Sequence, residues 1–435
     1  MKDRLFDIWF SLRVGIANRE FIPVLERYES TYDLFEAEGS ELASLPCSEN
    51  LKRALADKSV EESYHILHFC EQNGVDLVFW QDESYPEALR TLPDPPALLY
   101  VKGKLPDVNR LLTVSVVGTR KMSEYGKRMA YKIGYELGAA RAVVVSGMAL
   151  GNDSVAAAGT IAAGGWTVAV LGCGIDMVYP TEHTHLCREI QKHGAVITEF
   201  PPSTPPAGRN FPIRNRIISG LGQATLVIEA DKRSGALITA KTALGQGRDL
   251  YAVPGNVGDV NTEGTNQLIR DGAVVTLRAR DILENYTHLY GNELDMVRLL
   301  QAERHPSDPD DTLEWLEVCS RNRTVKGKER RTDDALAPTR NAPTATSPEP
   351  RQESVRPPQL PPPAKPHVGD ASERIVASLT ETQRGIFTAL PLDRAVPVDY
   401  LAREGFSMTD IMASMTILEI KGLVVSLPGG LYSRK

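Results

Sequence analysis

The stretch LTVSVVGTRKMSEYGKRMAYKIGYELGAARAVVVSG, Leu112–Gly147, decides the fold. Its two ends are Val-rich runs, each closing on a glycine. Between them, the apolar residues of EYGKRMAYKIGYELGAA recur at helical spacing. A strand that is apolar at nearly every position has both faces covered, as in a parallel sheet with helices on either side. The same pattern recurs outward in TVAVLG (167–172), AVITEF (195–200), ATLVIEA (224–230), DLYAVPG (249–255) and AVVTL (273–277). Helical stretches such as DSVAAAGTIAAGG (153–165) and GALITAKTALGQG (235–247) lie between these runs. The predicted fold class is α/β, with an extended Rossmann-like parallel-sheet domain over 76–290.

The flanks differ in kind. LFDIWFSLRV, EFIPVLERYES, TYDLFEAE, SELASLP and SVEESYHILHFCEQNG predict a small helical N-terminal domain over 1–75, of the SAM or helix-hairpin-helix type. VDLVFW and a Pro-rich turn then lead into the sheet. Residues 291–372 drift into Pro, Ser, Thr, Arg and Glu and end in RPPQLPPPAKPH. Too few apolar residues remain there to offset chain entropy, so the segment is expected to be a mostly disordered linker with one helical patch, TLEWLEVC. Periodicity returns over 373–435 in TETQRGIFTAL, PVDYLAREG and SMTDIMASMTILEIKGLV, followed by VSLPGGLYSRK. Three short helices and a hairpin with a Pro-Gly-Gly turn outline a winged helix. Its third helix, 409–422, has Lys421 as its only basic residue, and Met412, Met415, Ile417 and Leu418 suit a core. That tail is expected to serve protein contacts or DNA positioning rather than to read a duplex groove.

Bulk properties narrow the class. The chain has 435 residues, 42% hydrophobic and 24% charged, so two to four globular domains are expected. No apolar run reaches bilayer length, and MKDRLFDIWFSLRVG lacks the apolar core of a signal peptide. Five scattered cysteines without a C-x-x-C predict reduced thiols in the cytoplasm, with no disulfide framework and no structural zinc. Net charge is −7, yet residues 110–281 hold 19 Lys and Arg against 14 Asp and Glu, a local +5. A basic middle in an acidic chain is compatible with a polyanion partner.

Several β-runs end in polar loops where ligands of open α/β sheets bind. After the first run come Gly118, Thr119 and Arg120: small residues that admit a phosphate to the backbone, a helix start that faces it, and a charged fork. The bland alternative is a tight turn with a solvated arginine. Ser146-Gly147 in VSGMALGND repeats the arrangement. Ser234-Gly235 opens a helix that carries Thr239 and Lys241, where the serine serves either as a cap or as a phosphate donor. Gly264, Thr265 and Asn266 begin another helix. The most cationic segment is GRNFPIRNRIISGL (208–221), in which Ile217, Ile218 and Leu221 anchor the start of a helix. Phe211 is expected to offer a face on which a base could stack, Arg214 and Arg216 to pair with phosphates, and Asn215 to hydrogen-bond a base or buttress the loop. The alternative buries Phe211 and pairs the arginines with Glu199 and Glu229.

No catalytic set assembles, and no cofactor or metal is expected. VLGCGIDMVYP has Met177 where a dinucleotide fingerprint needs its third glycine. Ser146, Ser219 and Ser234 lack a G-x-S-x-G elbow. His183 and His185 diverge at i,i+2 and are expected at the surface, while Asp153, Asp176 and Glu199 are expected to be caps or loop acceptors.

SVVGTRKMSEYG, VSGMALGNDSVAAAG, AVLGCGIDMVYP, ITEFPPSTPPAGRNFPIRNRIISGL, VIEADKRSGALITAKTALGQGRDLYAVPG and EGTNQLIRDGA occur in this order. Together they closely resemble the DNA-processing protein A (DprA/Smf) family, densely over 111–284. The resemblance implies a non-enzymatic protein that binds and protects single-stranded DNA, forms a homodimer, and loads the RecA recombinase in natural transformation. It further implies a strand-binding pocket at Gly118, Thr119, Arg120, Ser146, Gly147, Asn210, Phe211, Arg214, Asn215, Arg216, Ser234, Gly235, Thr239, Lys241, Gly264 and Asn266. One block departs from the family's S-G-L-A-R-G-I-D-A-A-A-H: Met148, Leu150, Asn152 and Ala157 stand here, without the loop's arginine and the following histidine. A competing class is a nucleotide-processing enzyme like the phosphoribohydrolases, but VNTEGTNQLI lacks the leading glycines of their P-G-G-x-G-T-x-x-E. A third class, a protein-bridging scaffold, predicts no salt-dependent DNA binding.

Overall fold

The computed structural model describes residues 2–305, 310, 312 and 313, and then 380–391, 396–397, 400–401, 406, 410–411, 414–415, 418, 423–427 and 431–434. These fall into two compact units, one within 1–337 and one within 338–435.

The first unit is built on a nine-stranded sheet. Its strands are β1 (Val75–Phe79), β2 (Leu98–Gly103), β3 (Thr113–Val117), β4 (Val143–Ser146), β5 (Thr167–Val170), β6 (Gly194–Thr198), β7 (Ala224–Val227), β8 (Asp249–Ala252) and β9 (Val274–Val275). They lie in the order β1-β2-β6-β5-β4-β3-β7-β8-β9. All seven runs singled out in the sequence are strands, and β6 through β9 pair in parallel. The sheet is not parallel throughout, however. β2 lies antiparallel to β6, and β1 antiparallel to β2. The Pro-rich connection from β1 to β2 carries a single helical turn, Glu87–Arg90, and no crossover, so β2 returns antiparallel to β1.

Strand order reverses at β3, which has β4 on one side and β7 on the other. Val114 and Val116 of β3 enter the core under one face, and Val117 enters the core under the other. The first face is covered by α3 (Glu124–Ala139), α4 (Asn152–Ala162) and α5 (Thr184–Lys192), the second by α6 (Asn210–Leu221) and α7 (Gly235–Gly245). Below residue 75, α1 (Lys2–Val14), α2 (Glu61–Asn73) and shorter helices share an apolar core with the sheet edge. The Phe10 and Phe79 rings meet edge to face at 6.1 Å. At the other end, Met296–Arg304 is helical and buries Leu299 in the sheet's core, although the sequence places it in the linker. Of TLEWLEVC only 312 and 313 are described.

α3 and α4 touch backbone to backbone through glycines. A Cβ on Gly134 would stand 2.2 Å from the Ala156 carbonyl oxygen, and one on Gly159 2.3 Å from that of Tyr131. No rotamer change relieves a clash with backbone. Gly134→Ala is therefore expected to lower stability by about 1–3 kcal/mol, although alanine is the better helix former by about 1 kcal/mol. Urea denaturation of the two proteins side by side measures the sign.

In the second unit, β10 (Val396–Pro397), β12 (Leu431–Arg434) and β11 (Val424–Leu427) form a three-stranded antiparallel sheet in that order. A helix, Glu381–Ala389, starts at a Thr380/Gln383 capping box. Met415 and Leu418 are buried with Ile386, Phe387 and Leu401, which agrees with their reading as core. Met412, Ile417 and Lys421 lie outside the residues whose side chains are described.

Candidate nucleic-acid interface

The loops leaving β3, β4 and β7 converge with the start of α6 on an open cleft of about 720 Å³ at the carboxyl ends of the strands. Glycines let the loops meet. A Cβ on Gly118 would be 2.5 Å from Asn152 Oδ1, and one on Gly147 2.7 Å from the Arg214 guanidinium. Gly151, at φ +88°, caps α4 directly against the Thr119 carbonyl. Ser234 caps α7 by accepting from the Ala236 N–H, and α6 begins at Asn210. Three helix N-termini thus border one crevice, a setting that favours anions.

Two buried ions hold the loops. Asp153 accepts N–H bonds from Gly118 (3.3 Å) and Gly147 (3.0 Å). Burial pushes its carboxyl up, against the pull of Arg214 and of those N–H groups. Arg214 donates through Nη1 to the carbonyls of Gly147 (2.9 Å) and Val170, and through Nε to Asn215 Oδ1 at 3.2 Å. Burial lowers its guanidinium to about 10, against the favourable charge of Asp153, so it stays cationic at neutral pH. Its positive charge lies under the floor of the cleft, 5.8 Å from the Phe211 ring.

The accessible parts sit above that floor. Arg120 is exposed, lies 5.6 Å from the centroid of Phe211, and has no ion pair among the described residues. Lys121 is exposed beside it on the cleft wall. The half-buried Phe211 ring meets that of Tyr179 at 5.3 Å and 33°. Flat apolar faces and exposed cations therefore share one wall.

The structure gathers Gly118, Thr119, Arg120, Gly147, Phe211, Arg214, Asn215, Ser234, Gly235 and Thr239 around this cleft and the recess beside it. The remaining expected residues have other places. Arg216 is the main correction: its guanidinium is buried in an ion pair with Glu199, with Asp94 at 3.5 Å. Arg214 is likewise under the surface rather than aimed outward. Glu229, the other acid weighed as a partner, instead accepts from Ser123 Oγ and N–H. The amide of Asn210 donates to Gly172 and Pro205 carbonyls, and that of Asn266 bridges both backbone groups of Gly255. Gly264 packs under Ala230, Ser146 is fully buried, and Lys241 is exposed outside the cleft lining. Ile217, Ile218 and Leu221 anchor the end of α6, not its start. His183 is not at the surface; it is buried with Nδ1 at 2.9 Å from the Met148 carbonyl oxygen. Asp176 does serve as a loop acceptor, for the Ser203 N–H. Lys121, Leu150 and Tyr179 were not anticipated as site residues; an aromatic at a strand-end loop is the signal that points to Tyr179.

Residues 76–287 match the family model described as DNA recombination-mediator protein A, and 361–430 match the DprA winged helix domain. DNA processing protein DprA of Bacillus subtilis is 35% identical over 240 residues, covering 54% of this chain and 81% of that protein. The chain belongs to the DprA/Smf family. Protein Smf of Synechocystis sp. is 31% identical over 393 residues, 88% of this chain and 86% of its own length. The crystal structure of DNA processing protein A from Streptococcus pneumoniae aligns with 64% of this chain and 97% of its own, at 30% identity and a TM-score of 0.55. Against the family's S-G-L-A-R-G-I-D pattern, Met148 is buried at φ 51° and Leu150 stands at the mouth of the recess. Asn152 is wholly buried against Gly118.

Proposed function

We propose that this DprA/Smf protein is a non-enzymatic binder of single-stranded DNA, which it protects and onto which it loads the RecA recombinase. The observation that carries the strand-binding part is the cleft wall itself. Arg120 and Lys121 stand exposed beside the Phe211–Tyr179 rings, without an ion pair among the described residues, and three helix N-termini border the same cleft. Stacking faces with adjacent cations hold unpaired bases without reading sequence. A duplex keeps its bases inside the stack and cannot offer them. The buried carboxylate nearest the cleft, Asp153, is occupied by loop N–H groups, which favours binding over acid–base chemistry. RecA loading, a homodimer and a cytoplasmic location rest on family membership.

Gel-shift titration of the full chain with single- and double-stranded oligonucleotides tests this. Single strands are expected to bind tighter at every salt concentration, with log K falling by about 0.7 per neutralised phosphate for each unit of log salt. Equal affinity for duplex, or binding indifferent to salt, sinks the reading.

A further inference from the structure

The nine-stranded sheet ends at β1, which pairs with β2 on one side and, among the described residues, with no strand on the other. We infer that this edge takes an added strand, an extended and basic peptide segment of a protein partner. The surface shares no lining residue with the DNA cleft.

The phase of the β1–β2 ladder fixes which backbone groups face outward. The Trp80 N–H donates to the Ala97 carbonyl at 3.0 Å, and the Phe79 N–H turns away to Asp82 Oδ2 at 2.8 Å. Antiparallel pairs alternate, so Leu77 also turns its N–H and C=O away from β2, as does the carbonyl of Val75. They face an open groove of about 1340 Å³. Four consecutive residues, Val75 to Val78, line it, as the bare side of a strand does. A strand laid there is flanked on both faces. Leu77 and Leu67 of α2 lie on one, and Leu105, Leu111 and Trp166 on the other, all half-buried.

The rim is acidic. Glu71, Asp76, Glu83 and Asp107 are exposed and make no ion pair among the described residues. Against them stand Lys104 and Arg4, and Arg4 is already shared between Asp7 and Asp82, at 2.9 Å from each. A second copy of this edge would bring the same four carboxylates, and a nucleic acid its phosphates, so both are repelled. Lysines and arginines on an incoming strand meet opposite charge, main-chain bonds set its register, and the apolar floors hold the side chains between. Edge charges of one sign also keep unwanted strands off, and a guard without a guest would bind nothing.

The probe is the acetylated and amidated heptapeptide VKVKVKV, titrated into the full chain and followed by amide hydrogen exchange at Leu77. At ten times its Kd the peptide is expected to slow that exchange by about tenfold. The glutamate counterpart VEVEVEV should bind at least about tenfold more weakly. So should VKVKVKV methylated at its three central backbone nitrogens, which keeps the charge and removes the donors on both of its edges. Glu71→Gln with Asp107→Asn, both at exposed positions, is expected to weaken binding by about 2–30-fold and to flatten its salt dependence. No binding, equal binding of the lysine and glutamate peptides, or undiminished binding of the methylated peptide overturns the inference. So does binding that leaves Leu77 exchange unchanged. A Leu77 amide already slow without peptide overturns it too, because the edge is then covered by the chain itself or by a second copy.

Discussion

Arg216→Ala is expected to cost about 3–5 kcal/mol of folding stability, because removing one partner leaves the other buried and uncompensated. Glu199 is almost fully buried, and Arg216 is its ion-pair partner, with Asp94 adding a second negative charge 3.5 Å away. Even with that partner present, burial pushes the Glu199 carboxyl from its ordinary 4.5 up to about 7, the nearby arginine opposing the shift. The folded protein therefore keeps this proton to higher pH than the unfolded chain does. Stability from this group is fully present below about pH 4.3 and is lost as pH rises through about 7. Without Arg216 the folded-state value rises further, so the penalty should be small near pH 5 and largest at pH 8. Urea denaturation across that range reads it. Arg216→Met with Glu199→Gln removes both charges and should recover most of the loss. A penalty independent of pH, or a single variant as stable as the parent, would show that the pair is not what holds this region. An unchanged salt slope in DNA binding is the companion result, since this guanidinium already has its anion.

The divergence of Arg214 and Arg216 was legible in the sequence. FPIRNRIISGL puts them two residues apart, and on a helix such positions do not share a face. Reading Arg214 and Arg216 as two phosphate ligands of one site ignored that geometry, since the segment is helical from Asn210 onward. The strands were readable for the opposite reason. Val114, Val116 and Val117, or Val143 to Val145, are buried on both sides of the sheet, and two-sided burial writes itself as a continuous apolar run. The antiparallel direction of β2 is not a property of its residues. Its first four residues, LLYV, are as buried as a parallel strand, and its direction against β1 follows from a connection that makes no crossover. The Tyr179–Phe211 pair is 32 positions apart in the sequence, and only the fold brings the rings to 5.3 Å. His183 was misplaced because periodicity does not report a tertiary acceptor such as the Met148 carbonyl.

Combining Phe211→Leu with Arg120→Ala is expected to weaken single-strand binding by about 10²–10³-fold, at about 1–3 kcal/mol for a stacked base and a comparable amount for a charge-assisted phosphate contact. Leucine is chosen to separate stacking from packing. Phe211 fills space above Gly172, where a Cβ would stand 2.9 Å from its ring, so truncation to alanine would leave a hole as well as remove a face. Leucine keeps most of the volume and abolishes the flat ring. If Phe211 only fills space, Phe211→Leu binds as the parent does; if it stacks, that single change alone costs about 5–150-fold. Arg120→Ala acts differently, flattening the salt slope by about 0.7 while weakening binding to every sequence alike. The guanidinium and the ring are 5.6 Å apart, so the two losses should not simply add. Phe211 keeps Arg120 at the cleft wall, and without the ring part of that phosphate contact goes as well. The double variant should therefore lose less than the product of the two single losses. A full product would mean that ring and cation act independently, while unchanged binding in a folded double variant would remove this wall from the DNA-binding surface.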